Sequence, residues 1–284
     1  MSFDANETSR FLGRPVRLFV FQRQSVIWRY ANSTRDVVAA SNTYTAAHID
    51  RDEIQQTAER AKDSLKIRLA YLRDPGATDL PATQALGNNW HPYIPSDPIA
   101  VTCLAWHIGD TGSPAVEWSG IVVQPAFTDV ELELTCDPGP AVASARNQGA
   151  KWQRGCWKTV YSTGVRGCNL GLGTFAVSGT VSAVTGLTVS ASAFASAPLA
   201  LDGGWLEWTT GAGIVERRSI MTHSGSDVTL LYGAADLAPG LAVTARPGCQ
   251  NNWDACTARS NTINFGGAVY KPVKDPTGDP ISWS

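Results

Sequence analysis

The sequence lacks the features that mark most membrane proteins and enzymes. No uncharged apolar run approaches the ~18 residues of a membrane span, and the amino terminus has no basic start followed by an apolar core of ~7 to 15 residues, as a secretory signal would. No HExxH, GxSxG or P-loop pattern is present. These absences predict a protein that folds in the cytosol, has no membrane span and is not an enzyme.

The sequence also has no large excess of positive or negative charge. The formal charge of -2 gives no general electrostatic reason to bind nucleic acid or an anionic membrane. The pair Arg217-Arg218 is interpreted as a solvated strand end, and the carboxylates Glu131 and Glu133 as a solvent face. The four histidines are scattered through different sequence contexts, as expected for polar loop residues or core residues. They are His48, His91, His107 and His223.

Long helical patterns are few, and methionine is scarce, with two residues among 284. The 43% hydrophobic fraction, the 17% charged fraction, 26 glycines and 16 prolines describe a globular, turn-rich chain. The length allows two domains, or one domain with a large insertion. We therefore expect a mainly β fold with little helix.

Residues 1–140 are predicted to form an amino-terminal domain of antiparallel β-barrel type. Alternating apolar residues predict strands at 14–21, 25–30, 99–106, 116–123 and 130–136. Residues 52–69 fit either a helix or two strands, and we favour two strands that turn near Lys62 and Asp63. A short helix is expected after its cap Asp79, with Gly87 just past its end. Asp137 and the residues after it break the sheet.

The second half is predicted to consist of one domain inserted into another. Short strand candidates occur at 174–184, 187–190, 205–209, 214–221, 228–232 and 241–245, enough for a small barrel or sandwich at 174–245. Around it, residues 141–173 and 246–270 form a cysteine domain. A proline-rich tail, 271–284, is expected to be extended against a neighbour or disordered.

The six cysteines fall into two groups. Cys103 and Cys136 lie inside strand patterns and are expected to be small buried hydrophobic residues. The other four form two pairs flanked by glycine or turn-forming residues, which suits thiolates that converge on one centre. They are Cys156, Cys168, Cys249 and Cys256.

Three interpretations of these four cysteines remain open from the residues alone. The first is two disulfides, and it is weakened because disulfides are rare in the cytosol. Zinc ribbons place their ligands two to four residues apart, whereas eleven and then six residues intervene here. An all-thiolate set with wider loops is what an iron-sulfur cluster accepts, so spacing leaves iron-sulfur and zinc equally supported.

Ten tryptophans suggest a further alternative. Aromatic residues fill β cores and interfaces more often than they bind ligands. Trp205 and Trp208 could nevertheless form a sugar platform, and the chain would then be a carbohydrate-binding β module for host adsorption.

The order of several short motifs resembles one family: the baseplate hub proteins of phage tails and gene transfer agents that carry a carboxy-terminal cysteine domain, related to minor tail protein L of lambda-like siphophages. The resemblance covers most of the chain, and its most specific part is the carboxy-terminal block from Cys249 onward. The matching residues are Arg17-Leu18-Phe19-Val20-Phe21, Trp28-Arg29-Tyr30, Arg35-Asp36, Trp118-Ser119-Gly120, Cys156, Cys168, Gly203-Gly204-Trp205, Gly248-Cys249, Cys256, Asn261, Asn264-Phe265 and Gly267.

This resemblance implies a structural virion protein at the tail tip. In the family the four cysteines are associated with a [4Fe-4S] cluster, which here would be held by Cys156, Cys168, Cys249 and Cys256. The expected assembly is a homo-oligomer, a trimeric ring, that contacts the distal tail protein, the tape measure protein and the central tail-tip or fibre protein. It would assemble in the host cytoplasm and let DNA pass without specific binding. A zinc-stabilised scaffold is the alternative.

Overall fold

The structure is a computed structural model that describes residues 7–9, 13–55, 64–74, 76–138 and 152–271. The chain divides into two compact units. The first unit comprises Met1–Ala145 with Thr210–Glu216, and the second comprises Arg146–Thr209 with Arg217–Ser284. Strands dominate both units, which confirms the prediction of a mainly β chain with little helix. Among the described residues, no helix is long and apolar enough to cross a membrane.

The first unit contains a nine-stranded sheet with the order β3-β4-β2-β1-β7-β8-β9-β6-β5. Neighbouring strands run antiparallel, except for the parallel pair of β2 and β4. The predicted hairpins of β1 with β2 and of β7 with β8 are both present. The strands are β1 (Pro15–Arg23), β2 (Val26–Asn32), β3 (Val37–Ala39), β4 (Asn42–Ala47), β5 (Ile49–Arg51), β6 (Leu65–Ala70), β7 (Ala100–His107), β8 (Ala115–Phe127) and β9 (Glu131–Pro138).

The last part of the ambiguous stretch 52–69 is a strand, whereas residues 52–55 are irregular and residues 56–63 lie outside the described residues. In β6, Leu65, Ile67 and Leu69 are buried while the residues between them are exposed or half-buried. This period of two matches one face of a sheet, and β6 pairs antiparallel with both β5 and β9. The predicted turn at Lys62 and Asp63 lies outside the described residues.

Strand β1 is buried on both faces. Leu18 packs in one apolar cluster, together with Trp106, and Phe19 packs in another, together with Ile67 and Leu134. Both β1 side chains are 0% exposed. Because successive side chains of a strand point to opposite faces, the nearly continuous apolar run of β1 is what a strand covered on both sides needs.

The short helix of the first unit begins later than predicted. It spans Gln84–Gly87, with Thr83 at its amino-terminal cap position, so the prediction of Asp79 as the cap is wrong. Gly87 is the last helical residue and not the residue beyond it. A Cβ atom there would lie 2.3 Å from a ring carbon of Tyr71, so glycine is needed for close packing at this position.

The second unit contains a seven-stranded sheet with the order β10-β16-β13-β14-β15-β12-β11. Its core is separate and includes Phe194, Leu206, Trp208 and Ile220, with Phe194 on a 3-10 helix, Ser192–Ser196. The first and last strands pair with each other through Val177 and Ala245. The strands are β10 (Val177–Thr180), β11 (Ala183–Thr185), β12 (Thr188–Ser190), β13 (Trp205–Thr209), β14 (Val215–Ser224), β15 (Asp227–Leu230) and β16 (Ala242–Arg246).

The interpretation of Arg217-Arg218 as a solvated pair holds for only one of them. Arg217 is exposed, and its Nε is 2.8 Å from Glu207. Arg218 is 3% exposed, donates to the carbonyl of Gly233 and lies over the ring of Tyr232, 4.6 Å from its centroid. Hydrogen bonding and stacking make this burial tolerable, because a guanidinium combines planar donors with a stacking surface.

Candidate metal centre

The four candidate ligands lie in the second unit, on the segments that flank its sheet. Cys156 and Cys168 occur in irregular chain before β10, and Cys249 follows β16. Cys256 lies in a helix that the sequence did not predict, Trp253–Ala258, and it is 9% exposed, whereas the other three are half-buried. All six cysteines of the chain are free thiols. The structure therefore contains no disulfide among them.

Three of the four sulfurs accept a hydrogen bond from an N–H group. Such bonds stabilise negative charge on sulfur and are among the factors that set the potential of an iron-sulfur cluster. The donor and acceptor pairs are Gly266 N with Cys156 Sγ at 3.3 Å, Asn251 N with Cys249 Sγ at 3.4 Å and Asn261 Nδ2 with Cys168 Sγ at 3.3 Å. N–H groups from three different residues therefore face three of the four sulfurs.

Asn261 links one cysteine of each pair. Its side-chain Nδ2 also donates to the Cys168 carbonyl, at 2.8 Å, and its own carbonyl accepts from Cys256 Sγ at 3.1 Å. The Asn264 amide donates to Asn261 Oδ1 at 2.7 Å. Asn261 is 7% exposed, so this network is shielded from solvent and fixes the orientation of both cysteines.

The helix that carries Cys256 begins at a specific cap. Asn252 Oδ1 accepts from the Ala255 amide at 2.7 Å. Asp254 lies in the first turn, where negative charge is favourable. The cap stabilises a helix of only six residues and so determines where the Cys256 side chain points.

Backbone contacts hold the two flanking segments together. The Cys156 amide donates to the Asn251 carbonyl at 2.6 Å, and the Ala268 amide donates to the Gln153 carbonyl at 2.8 Å. A Cβ atom on Gly267 would lie 2.3 Å from the Arg154 carbonyl oxygen. Because that distance is below any real Cβ contact, Gly267 is required by the close approach of the two segments.

Tyr161 forms a third connection. Its hydroxyl donates to the Pro247 carbonyl at 2.9 Å, and its ring packs edge-on against Trp205 with centroids 5.4 Å apart. Its φ of 63° is unusual for a bulky residue. The two contacts hold this backbone conformation and connect the loop between Cys156 and Cys168 to the end of β16.

The thiols are close enough to influence one another electrostatically. Burial raises the pKa of Cys256, and negative charge on Cys156, Cys168 and Cys249 raises this pKa further, while Arg259 lowers it. Four thiolates would therefore repel one another. A bound metal supplies the positive charge that makes ionisation of all four favourable.

The donor set fits an iron-sulfur cluster in its chemistry. It consists of thiols alone, and N–H donors face three of the four sulfurs. No three His, Cys, Asp or Glu side chains in the part of the chain that the structure describes are arranged to hold a metal ion. Among the described residues, hydrogen bonds through Asn261 link Cys168 with Cys256, and mutual charge effects link Cys256 with the other three cysteines, without a closed geometry for a single ion.

The remaining two cysteines are buried in the first unit, as predicted. Cys103 is 1% exposed and Cys136 is 0% exposed. Burial raises the pKa of Cys103 to about 12 and raises the pKa of Cys136 as well. Both thiols are therefore neutral, unreactive parts of the core.

The proposed sugar platform is not formed. Trp208 is 3% exposed, and its Nε1 donates to Asp236 at 2.7 Å. Trp205 is half-buried and packs on Tyr161. Since the two residues are three positions apart in β13, their side chains point to opposite faces of the sheet and cannot share one surface.

Sequence reasoning placed the four cysteines but missed the residues that position them. Asn251, Tyr161 and Asn252 gave no signal beyond that of polar or aromatic loop residues. Asn261 was visible only as part of a motif, and its contacts to Cys168 and Cys256 depend on chain segments far apart in the sequence. The glycines near the cysteines were the one local signal of close backbone approach.

Comparisons with known proteins give a partial match to a family model, a shared fold and a full-length relative. The family described as "Phage conserved hypothetical protein BR0599" matches residues 200–275, a range that includes Cys249 and Cys256. A chain in the structure titled "Virion of native gene transfer agent (GTA) particle" has the same fold, with a TM-score of 0.75, 15% identity and coverage of 100% of this chain and 96% of that one. An uncharacterized protein of Xylella fastidiosa (strain 9a5c) is 33% identical, with 100% of both chains covered. The chain therefore belongs to the same protein family as this Xylella fastidiosa protein.

Proposed function

We propose that the chain is a structural virion protein of a phage tail or gene transfer agent particle. The observation that carries this proposal is a fold shared over the full length with a chain of a gene transfer agent virion. The match of residues 200–275 to a family described as a phage protein supports the same conclusion. Within such a particle, the family resemblance supports the role of a baseplate hub subunit.

As a hub, the protein would join the distal tail and tube proteins to the central tail-tip or fibre proteins. It would form a homo-oligomer, a trimeric ring, at the tail tip, assembled in the host cytoplasm, with the tape measure protein and the passing DNA inside the ring. Its function would then be mechanical. Rigid sheets with buried cores, as in both units, suit a part that must transmit force without changing its fold.

The four-cysteine site would hold a [4Fe-4S] cluster through Cys156, Cys168, Cys249 and Cys256. The all-sulfur donor set and the N–H groups that face the sulfurs support this assignment. The role of the cluster would be structural, because metal binding to a preformed site adds its free energy to folding. The segments before β10 and after β16 contain no strand among the described residues 152–176 and 247–271. A shared metal would therefore join two segments that no sheet holds together.

Zinc is the second candidate for the same site. Four thiolates satisfy zinc as well as iron, and a zinc-stabilised scaffold would leave the virion role unchanged. The carbohydrate-binding alternative has no comparable support, because Trp208 is buried and Trp205 faces the other side of its strand.

The virion role is tested by analysing purified particles. Particles produced by the strain that encodes this protein should contain the chain when their proteins are identified by mass spectrometry. Electron microscopy with a bound antibody should locate it at the tail tip. A chain found only in the cell lysate, and absent from particles that contain the other tail proteins, contradicts the proposal.

The metal assignment is tested on protein purified without oxygen. We expect a brown product with broad absorption near ~400 nm and about four irons per chain, as for thiolate-bound iron. After metal removal, four thiols should become open to alkylation, while Cys103 and Cys136 stay protected by burial. A colourless protein with one zinc per chain would replace the iron assignment by zinc.

A further inference from the structure

Charge is unevenly distributed along the chain. Residues 141–173 and 246–270 contain seven Lys and Arg and one Asp, a net charge of +6 within a chain of net charge -2. The remaining residues therefore sum to -8. The near-neutral total hides a strongly basic cysteine region.

Three of these cations, Arg154, Lys158 and Arg166, have no side-chain partner in the described part of the chain. Arg246 pairs with Glu207, and Arg259 donates to main-chain carbonyls. By contrast, the described residues offer no hydrogen bond or ion pair to the side chains of Lys158 and Arg166. Satisfied and unsatisfied cations thus occur in the same region, and the unsatisfied ones need an explanation.

Lys158 and Arg166 line one cleft. It has a volume of about 640 Å³ and includes Cys156, and no Asp or Glu lines it among the described residues. One aromatic residue, Trp157, also lines the cleft, and Gly167 and polar residues complete the lining: Gln153, Thr159, Ser162, Thr163 and Asn251. A cleft with cations and hydrogen-bond donors but no acid is complementary to carboxylates.

The stem of Lys158 and the backbone of Arg166 are held by their surroundings. A Cβ atom on Gly266 would lie 2.9 Å from Cγ of Lys158, so the lysine stem packs directly on this glycine. Arg166 lies in a turn closed by the bond from the Gly167 amide to the Gly164 carbonyl at 2.9 Å. Preorganised cations lose less entropy when they bind a partner.

Exposed aliphatic residues occur in the same region of the chain as these cations. Val165, in the same turn, and Ile263 are 103% and 93% exposed. Asn169 connects them: its side chain bonds both main-chain groups of Gly164, at 2.9 and 3.0 Å, and is 3.5 Å from Asn264. Two β-branched residues are therefore displayed on hydrogen-bonded loops rather than covered.

We propose that this surface, defined by Lys158, Val165, Arg166 and Ile263 and named the basic face, docks an acidic segment of another protein that also carries apolar side chains. Opposite charge supplies the attraction. The aliphatic residues add apolar contacts, which a nucleic-acid phosphate backbone cannot form. Two cations around one cleft also differ from the extended track of cations and stacking aromatics that single strands use. A protein partner therefore fits better than nucleic acid.

The inference rests on the proposed function only in that the protein works beside other proteins of an assembly. It is tested on the full chain, purified without oxygen, by fluorescence anisotropy with three labelled probes at about 150 mM salt, where distant charges are screened. The probes are a glutamate-tyrosine copolymer, poly-L-glutamate and a double-stranded DNA oligonucleotide. We expect the copolymer to bind most tightly.

Matched variants locate the binding site. Lys158→Glu with Arg166→Glu should weaken copolymer binding by about tenfold or more, because truncated or reversed charge pairs at interfaces are costly. Arg35→Glu with Arg73→Glu makes the same charge change on exposed residues of the first unit and should leave binding unchanged. Val165→Ser with Ile263→Ser should weaken binding of the copolymer more than binding of poly-L-glutamate. Metal content and melting temperature verify that each variant is folded.

Three outcomes would overturn the proposal. If DNA binds as tightly as the copolymer, the ligand of the basic face is a phosphate backbone and not an acidic protein segment. Loss of metal in the Lys158→Glu, Arg166→Glu variant would mean that these cations only offset the thiolate charge. No binding of either acidic probe would leave the face without a partner. A chain absent from virions but still binding the copolymer would refute the virion role alone.

Discussion

The nine-stranded sheet of the first unit and the cysteine region of the second unit are stable for different reasons. The sheet buries apolar side chains on both faces of β1, and Phe19, Phe21 and Leu18 are 0% exposed. The cysteine region has one short helix, one 3-10 turn and no strand among described residues 152–176 and 247–271. In the cysteine region, which has no layered core of strands among these residues, hydrogen bonds between loops take that role, and the proposed metal would add to them.

This comparison shows what each region demands of its sequence. A sheet needs a period of two over several residues, and many apolar side chains satisfy it. The cysteine region needs particular atoms at particular places: the sulfurs, the Asn261 amide and a glycine at 267. We therefore expect the first region to tolerate exchange among apolar residues and the second region not to tolerate changes at these positions.

The largest effect is expected from Cys249→Ser. Structural metal sites contribute on the order of 10 kcal/mol to small domains, so losing a ligand should unfold the cysteine region and leave the nine-stranded sheet intact. Limited proteolysis should then cut residues 152–173 and 247–271 first, and metal content should fall. A variant as protease-resistant as the parent would mean that these cysteines do not stabilise the region.

The reciprocal variant is the control for this comparison. Phe19→Ala removes a fully buried ring from the first unit and should cost about 3–5 kcal/mol of unfolding free energy. Thermal unfolding should then begin at a lower temperature, with metal content unchanged before the transition. Equal metal loss in both variants would show that the two regions unfold together.

A smaller effect is expected from Gly267→Ala. The added Cβ would lie 2.3 Å from the Arg154 carbonyl oxygen, and such overpacking costs about 1–3 kcal/mol. Gly173→Ala is the matched control, because nothing lies within 4 Å of its added Cβ. In chemical denaturation, the Gly267→Ala variant should unfold at a lower denaturant concentration than the Gly173→Ala variant. Similar midpoints would show that the Gly267 contact can relax and that the two segments are less tightly joined than described.

The sequence predicts the sheets well because their pattern is local. Alternation located β6 and β9, and the buried positions Ile67 and Leu134 follow from it directly. The turn residues located the two hairpins. No contact with distant residues was needed to predict these elements.

The candidate site could be predicted only in part. Residue type and flanking glycines indicated the four thiols, but the donors to their sulfurs come from positions up to 110 residues away. The helix Trp253–Ala258 was missed because six residues cover less than two turns, too few for a periodic signal. The charge of the cysteine region was hidden for another reason: a total of -2 averages a basic region with acidic surroundings.

The pairing of β10 with β16 has a consequence for how such proteins diverge. Val177 and Ala245 are neighbours across this pair, so the chain leaves the cysteine region and returns to it at nearly the same point. A change in the length of a loop between these two strands is therefore expected to leave the thiols in place.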